Sequence, residues 1–117
     1  MNHHEKLNYV EFAAKDLPAT KAFFQATFNW VFADYGPEYI AFSNEGLDGG
    51  FFKAEMHSNA SIGGAFLVFY SKQLEATLAK VEKAGGKVNK PIFPFPGGRR
   101  FHFTEPSGNE FAVWSNL

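Results

Sequence analysis

Three side chains able to do acid, base or anion chemistry interrupt runs that otherwise read as apolar strands. They are Glu11 in "KLNYVEFAA", and Arg100 and His102 in "RRFHFTEP". A carboxylate or an imidazole can move a proton, and a guanidinium can hold a carboxylate or enolate oxygen. Side chains alternate between the faces of a strand, so Phe101 and Phe103 on the core face put Arg100, His102 and Thr104 on the other. Each residue also has a plainer reading. Glu11 is either a cavity carboxylate or an exposed strand residue. Arg100 is either a ligand contact or, like Arg99, a solvated residue at the start of a strand. His102 is either a ligand contact or a histidine satisfied within the structure.

The elements that carry these residues are written twice. "DLPATKAFFQ" and "QLEATLAKVE" share L-x-A-T-x-A at positions 57 apart, Leu17 with Leu74 and Thr20 with Thr77. In the first copy a strand over Lys6–Ala13 leads to Asp16, an N-cap, and Pro18, which fits the first turn of a helix running to Phe28. Asn29 can take the left-handed conformation that ends it. "WVFADY", "EYIAFS" and "DGGFFKA" follow as short strands. In the second copy "GAFLVFYS" is a strand and Gln73–Ala84 a helix stopped by Gly85-Gly86. "KVNKPIF", a Pro/Gly loop "PFPGG", "RRFHFTEP", the turn "EPSGN" and "EFAVWS" complete it. Two βαβββ units are predicted, about 6–53 and 64–115, joined by the polar linker "EMHSNASIGG" into one domain over 1–117. Neither half's sheet can bury its apolar face alone.

Composition narrows the function classes. Of 117 residues 45% are hydrophobic and 15 are Phe, which points to a β-rich aromatic core. A net charge of -1 without a basic block argues against nucleic acid as a partner. The absence of cysteine removes disulfides, thiolate metal sites and thiol nucleophiles. Apolar runs fall short of a membrane span and "MNHHEKLNYV" lacks a hydrophobic signal region, so a cytoplasmic protein without a membrane partner is expected.

The paired units, "V-x-F-x-x-K-D-L" entering the first helix, and "F-x-F-T-E-P-S-G-N-E-F" near the end resemble the vicinal oxygen chelate superfamily. That superfamily includes glyoxalase I, extradiol dioxygenases, fosfomycin-modifying enzymes and bleomycin-binding proteins. The resemblance covers essentially the whole chain. It implies an α+β fold of two tandem βαβββ modules forming a rolled, eight-stranded mixed sheet with a concave cavity. It also implies a divalent metal held by side chains from four strands, at positions that here read Tyr9, Phe66, Ala112 and the stretch Gly49–Phe51. Phe and Ala cannot coordinate such a cation, and a neutral Tyr is a poor substitute for His or Glu. No metal and no cofactor is therefore expected. A separate site from His102 with Glu11 or Glu110 is an alternative.

If those positions face the cavity, so do their period-2 neighbours. The ligand-binding set is then Tyr9, Glu11, Phe66, Val68, Tyr70, Arg100, His102 and Trp114, joined on that face by Glu110 and Ala112. In fosfomycin-modifying enzymes the positions similar to Glu11, Arg100 and His102 carry substrate contacts. The expectation is a glyoxalase/bleomycin-resistance-like protein binding a small molecule in a metal-free aromatic cavity, with Glu11 paired to Arg100 or His102 when empty. Bleomycin itself is too large and cationic for this face. The alternative is a lyase or isomerase of the glyoxalase I type, or a dioxygenase-related enzyme, with Glu11 and His102 catalytic and Arg100 stabilising an anion. A structural or regulatory partner domain is a third reading. The resemblance also implies a two-fold homodimer, because family members cover exposed sheet edges by pairing chains.

Overall fold

The computed structural model describes residues 2–117. Strand β1 (Tyr9–Ala14), helix α1 (Leu17–Phe28), β2 (Phe32–Asp34), β3 (Tyr39–Phe42) and β4 (Asp48–Lys53) form the first unit. Strand β5 (Leu67–Tyr70), helix α2 (Leu74–Lys83), β6 (Lys87–Phe95), β7 (Gly98–Thr104) and β8 (Glu110–Ser115) form the second. The eight strands divide into two four-stranded sheets, ordered β1-β4-β3-β2 and β5-β8-β7-β6. In each, the first strand runs parallel to the last and the remaining neighbours are antiparallel. The repeat in the sequence is thus a repeat in topology. β1 and β5 each keep one edge without a strand partner.

Local chemistry explains the helix ends. The Asp16 carboxylate accepts from the Ala19 N–H, and Asn29 closes α1 at φ 59° and ψ 32°. Leu17, Thr20, Phe23, Phe24 and Thr27 recur with helical spacing and are buried. In α2 the buried stripe is Leu74, Thr77 and Val81, and Gly85 at φ 97° ends the helix. Gln73 caps nothing with its side chain. Ser71 Oγ instead accepts from the Gln73 N–H at 3.0 Å.

The core is one continuous aromatic mass. Phe24 of α1 lies 5.6 Å from Phe51 of the first sheet and 5.5 Å from Phe111 of the second, centroid to centroid. Phe12 is 5.2 Å from Phe111. Val10, Phe12, Leu67, Phe69, Phe111 and Val113 all belong to this side, as the alternation predicts.

The turn after β7 fastens the halves together. Glu105 is 2% exposed and accepts from Thr20 Oγ1 at 2.7 Å, Ser107 N at 3.0 Å, Asn109 N at 3.1 Å and Asn109 Nδ2 at 2.9 Å. Asn109 Nδ2 also donates to the Ala13 carbonyl at 2.8 Å, and the Asp16 N–H donates to Ser107 Oγ at 3.1 Å. A carboxylate this buried is tolerable because donors surround it.

Several sequence boundaries shift, and β5 begins only at Leu67, which leaves Phe66 just ahead of the strand. β1 begins at Tyr9 rather than Lys6, because the preceding chain makes its own turn, with Lys6 N–H donating to His3 C=O at 3.2 Å. The linker holds a short 3-10 turn, Ala60–Ile62, capped by Asn59. β6 runs on through Pro91 and Pro94 to Phe95, so the expected "PFPGG" loop contracts to the turn Pro96-Gly97. Only an edge strand accepts prolines in this way, since the missing N–H removes no ladder bond. Register shifts on either side of Lys90 accompany them.

Candidate functional site

The sequence-predicted residues lie on the sheet faces opposite the core, in two clusters. In the first half Tyr9 is 45% exposed and Glu11 is also open to solvent. Between them stands Tyr39 of β3, which the sequence reading missed. The Tyr39 hydroxyl donates to Glu11 Oε2 at 2.9 Å and lies 2.5 Å from the Tyr9 hydroxyl. With Tyr39 donating to Glu11, Tyr9 is the donor to Tyr39. Burial, then the contacts with Tyr9 and Glu11, push the Tyr39 phenol far above its ordinary 10.0, so it stays protonated. Room for the ring comes from Gly50, whose missing Cβ would stand 2.2 Å from the Tyr39 oxygen. The signal was present in "EYIAF": Ile40 and Phe42 are core, which leaves Tyr39 on the Glu11 face.

The second cluster is built on β7 and β8. Arg100 Nε donates to His102 Nε2 at 3.1 Å. The His102 proton must therefore sit on Nδ1, which faces Glu110 Oε2 at 3.8 Å. Burial, with the nearby Arg100 charge next, holds His102 below its usual 6.5, while Glu110 opposes the shift and Lys90 adds to it. Glu110 is already held by the Ala60 N–H at 2.9 Å and Asn89 Nδ2 at 3.1 Å. The half-buried Arg100 guanidinium lies 5.6 Å from the centroids of both Phe66 and Phe95, and no carboxylate pairs with it among the described residues. Phe66 packs 4.6 Å from the His102 ring, and Trp114 sits between Phe95 at 6.2 Å and Tyr70 at 5.2 Å. Val68 and Tyr70 stand at the β5 edge, 45% and 48% exposed.

The expected pairing of Glu11 with Arg100 or His102 does not form. Glu11 is engaged by Tyr39 and Arg100 by His102, each within its own sheet. Arg99, read as solvated, instead pairs with Glu75 of α2. His57 is exposed, and its ring packs beside Gly108 and lines a groove shared with His102, Thr104 and Glu110.

The residues at the family's ligand positions do not fit a divalent cation. Tyr9 is committed to Tyr39, Phe66 to His102, and Ala112 is a fully buried methyl group. Gly49 and Gly50 make space for the Phe42 and Tyr39 rings instead of offering donors. His102 with Glu110 makes only a pair. Among the described residues no cluster of three His, Cys, Asp or Glu side chains could hold a metal.

Solved structures share this architecture. A glyoxalase-related enzyme from Fulvimarina pelagi is 16% identical with a TM-score of 0.79, covering 95% of this chain and 88% of that one. Lactoylglutathione lyase from Agrobacterium tumefaciens is 18% identical with a TM-score of 0.72, covering 95% and 93%. The fosfomycin resistance protein FosX from Listeria monocytogenes is 19% identical with a TM-score of 0.75, covering 98% and 94%. At such identities the likeness establishes the fold and not the chemistry. No curated protein matches the sequence. The sequence itself matches a family description over residues 6–113, nearly its whole length. The chain belongs to the Glyoxalase/Bleomycin resistance protein/Dioxygenase superfamily.

Proposed function

We propose that the protein binds a small molecule carrying an anionic group, with Arg100 as the anchor and Phe66, Phe95 and Trp114 as the apolar walls. One observation carries this reading. A half-buried guanidinium is flanked by two phenyl rings, with its Nε satisfied by a neutral histidine and no carboxylate paired to it. Such a cation gains most from a ligand that brings the missing negative charge. His102 orients Arg100 in this arrangement, and Glu110 stands on the Nδ1 side of the His102 ring. Titration calorimetry with phenylphosphonate tests it. Arg100→Ala should weaken binding by roughly 1.5–3 kcal/mol, the worth of a hydrogen bond to a charged group. Equal affinity in the variant would overturn the reading.

The enzyme reading rests on Glu11, the one carboxylate of the first cluster, which already accepts a proton-bearing hydroxyl. A lyase or isomerase would use it as general base on an α-hydroxy or α-keto substrate. Glu11→Gln should abolish turnover if that reading holds, and should leave phenylphosphonate binding unchanged if the protein is a binder alone.

We further infer a two-fold homodimer. The outer edges of the two sheets, β2 and β6, carry no strand partner among the described residues. Pairing two chains would cover such edges. Sedimentation at micromolar concentration showing only a 13.1 kDa species would exclude it.

A further inference from the structure

Arg100 is not the only cation on its face. In the β6–β7 ladder Lys90 lies opposite His102, and Phe93 lies opposite Arg100. Lys90 and Arg100 are therefore diagonal neighbours, a relation that sets Cα atoms roughly 7–8 Å apart. From the β6 side, Lys90 Nζ sits 4.7 Å from the centre of the Phe93 ring, and that ring packs 5.4 Å from His102. From the β5 side, Phe66 packs 4.6 Å from His102 and lies 5.6 Å from the Arg100 guanidinium. The imidazole is the middle of the patch, with one cation reached through each ring.

The two cations stand apart and unpaired. They share no ring, since Lys90 lies over Phe93 and Arg100 over Phe66 and Phe95. Among the described residues neither has a carboxylate partner. Glu110, the acid on this face, is engaged by the Ala60 N–H and Asn89 Nδ2 and stands nearest His102 Nδ1. Both positive charges are felt at the imidazole. Burial and then Arg100 hold the His102 pKa down, Glu110 opposes them, and Lys90 adds to the lowering. Two like charges on one half-apolar face repel each other until an anion neutralises both.

We infer that the ligand of this face carries two separated anionic groups on a short body, one for Arg100 and one for Lys90: a dicarboxylate and not a monocarboxylate. The inference rests on Arg100 as the anchor and adds Lys90 as the residue that selects for the second charge. One carboxylate meets the planar guanidinium fork, and the other meets the ammonium as a point charge. The body between them lies across the His102 and Phe93 rings.

Titration calorimetry with isophthalate and benzoate at physiological ionic strength tests this. The probes share a ring and a first carboxylate and differ in the second. Isophthalate should bind about five-fold more tightly, the upper worth of one exposed ion pair. Lys90→Met should remove that advantage and leave benzoate unchanged, whereas Lys90→Arg should keep it. Lys90 is an exposed edge residue, so neither change threatens the fold. Arg100→Ala should weaken both probes, which tests the anchor by itself. NMR titration of the His102 imidazole gives a second readout. Lys90→Met should raise its pKa in the free protein. Isophthalate should raise it further than benzoate does, because it neutralises both cations. Equal affinities for the two probes, an equal loss of both in Lys90→Met, or a His102 pKa indifferent to Lys90 would each overturn the second contact and leave the anchor standing. Unchanged binding of both probes in Arg100→Ala would overturn the anchor and this inference with it.

Discussion

The two halves are one frame carrying two chemistries. Their cross-strand registers match residue by residue: Glu11 faces Gly50 as Val68 faces Ala112, and Tyr39 faces Phe52 as Arg100 faces Trp114. At equivalent positions the first half therefore holds Glu11, Tyr39 and Gly50, and the second Val68, Arg100 and Ala112. The first face sets a phenol against a carboxylate. The second sets a guanidinium against a neutral imidazole. Duplication preserved the backbone and the core parity, which packing enforces, and left the outward faces free to diverge.

The halves also differ in what fastens them, and this difference should have the largest measurable effect. Thr20 and Thr77 are equivalent in the repeat and both buried. Thr20 reaches across to Glu105, whereas Thr77 bonds locally to Ser71 Oγ at 2.7 Å. Glu105→Ala strands several buried donors and should cost roughly 3–5 kcal/mol of unfolding free energy by urea denaturation. Thr20→Val should cost about 1–2 kcal/mol more than Thr77→Val. Equal costs for the two threonines would show that the turn does not join the halves.

Next comes the floor of each face. Gly50→Ala puts a methyl group into the Tyr39 ring and should destabilise by roughly 1–3 kcal/mol. It should also displace the phenol from Glu11. Ala112, its counterpart, already carries that methyl group. Fluorescence-detected unfolding gives the cost, and the Tyr39 titration gives the displacement.

The smallest effects are in pH, and they have opposite signs in the two halves. His102 is held below its ordinary 6.5 when folded, so the unfolded chain binds more protons as pH falls below 6.5. Stability from this group is complete above 6.5 and lost as pH drops through the folded value. Tyr39 is held above its ordinary 10.0, so the folded chain keeps a proton that the unfolded chain releases. Stability is complete below 10.0 and lost above it. His102→Phe should flatten the acid limb and Tyr39→Phe the alkaline limb of the stability profile. If both limbs survive, these groups are not their source.

The sequence alone determined much of the frame. The helix over Leu17–Phe28 lay in Asp16, Pro18 and Asn29, all acting within a turn of their own position. The order of elements was legible because it is written twice, and the core faces because a strand alternates. Arg100 and His102 were correctly placed on one face by Phe101 and Phe103 alone.

Only the tertiary structure decided what those residues meet. Glu11 finds Tyr39 because β3 and β1 both flank β4, and no local pattern gives the register that sets Tyr39 above Gly50. Glu105 looks like an ordinary turn residue until α1 brings Thr20 to it from 85 positions away. β6 keeps its prolines only because it lies at an edge, which the strand order settles and the strand itself cannot announce. The cavity lined by Val10 and Phe12 of β1 and Leu67 and Phe69 of β5 belongs to neither half, since it is the space between two edges that packing draws together and no ladder closes. Periodicity and caps are short-range and survive in the linear chain. Register, edges and seams are relations between distant segments, and they exist only once the chain has folded.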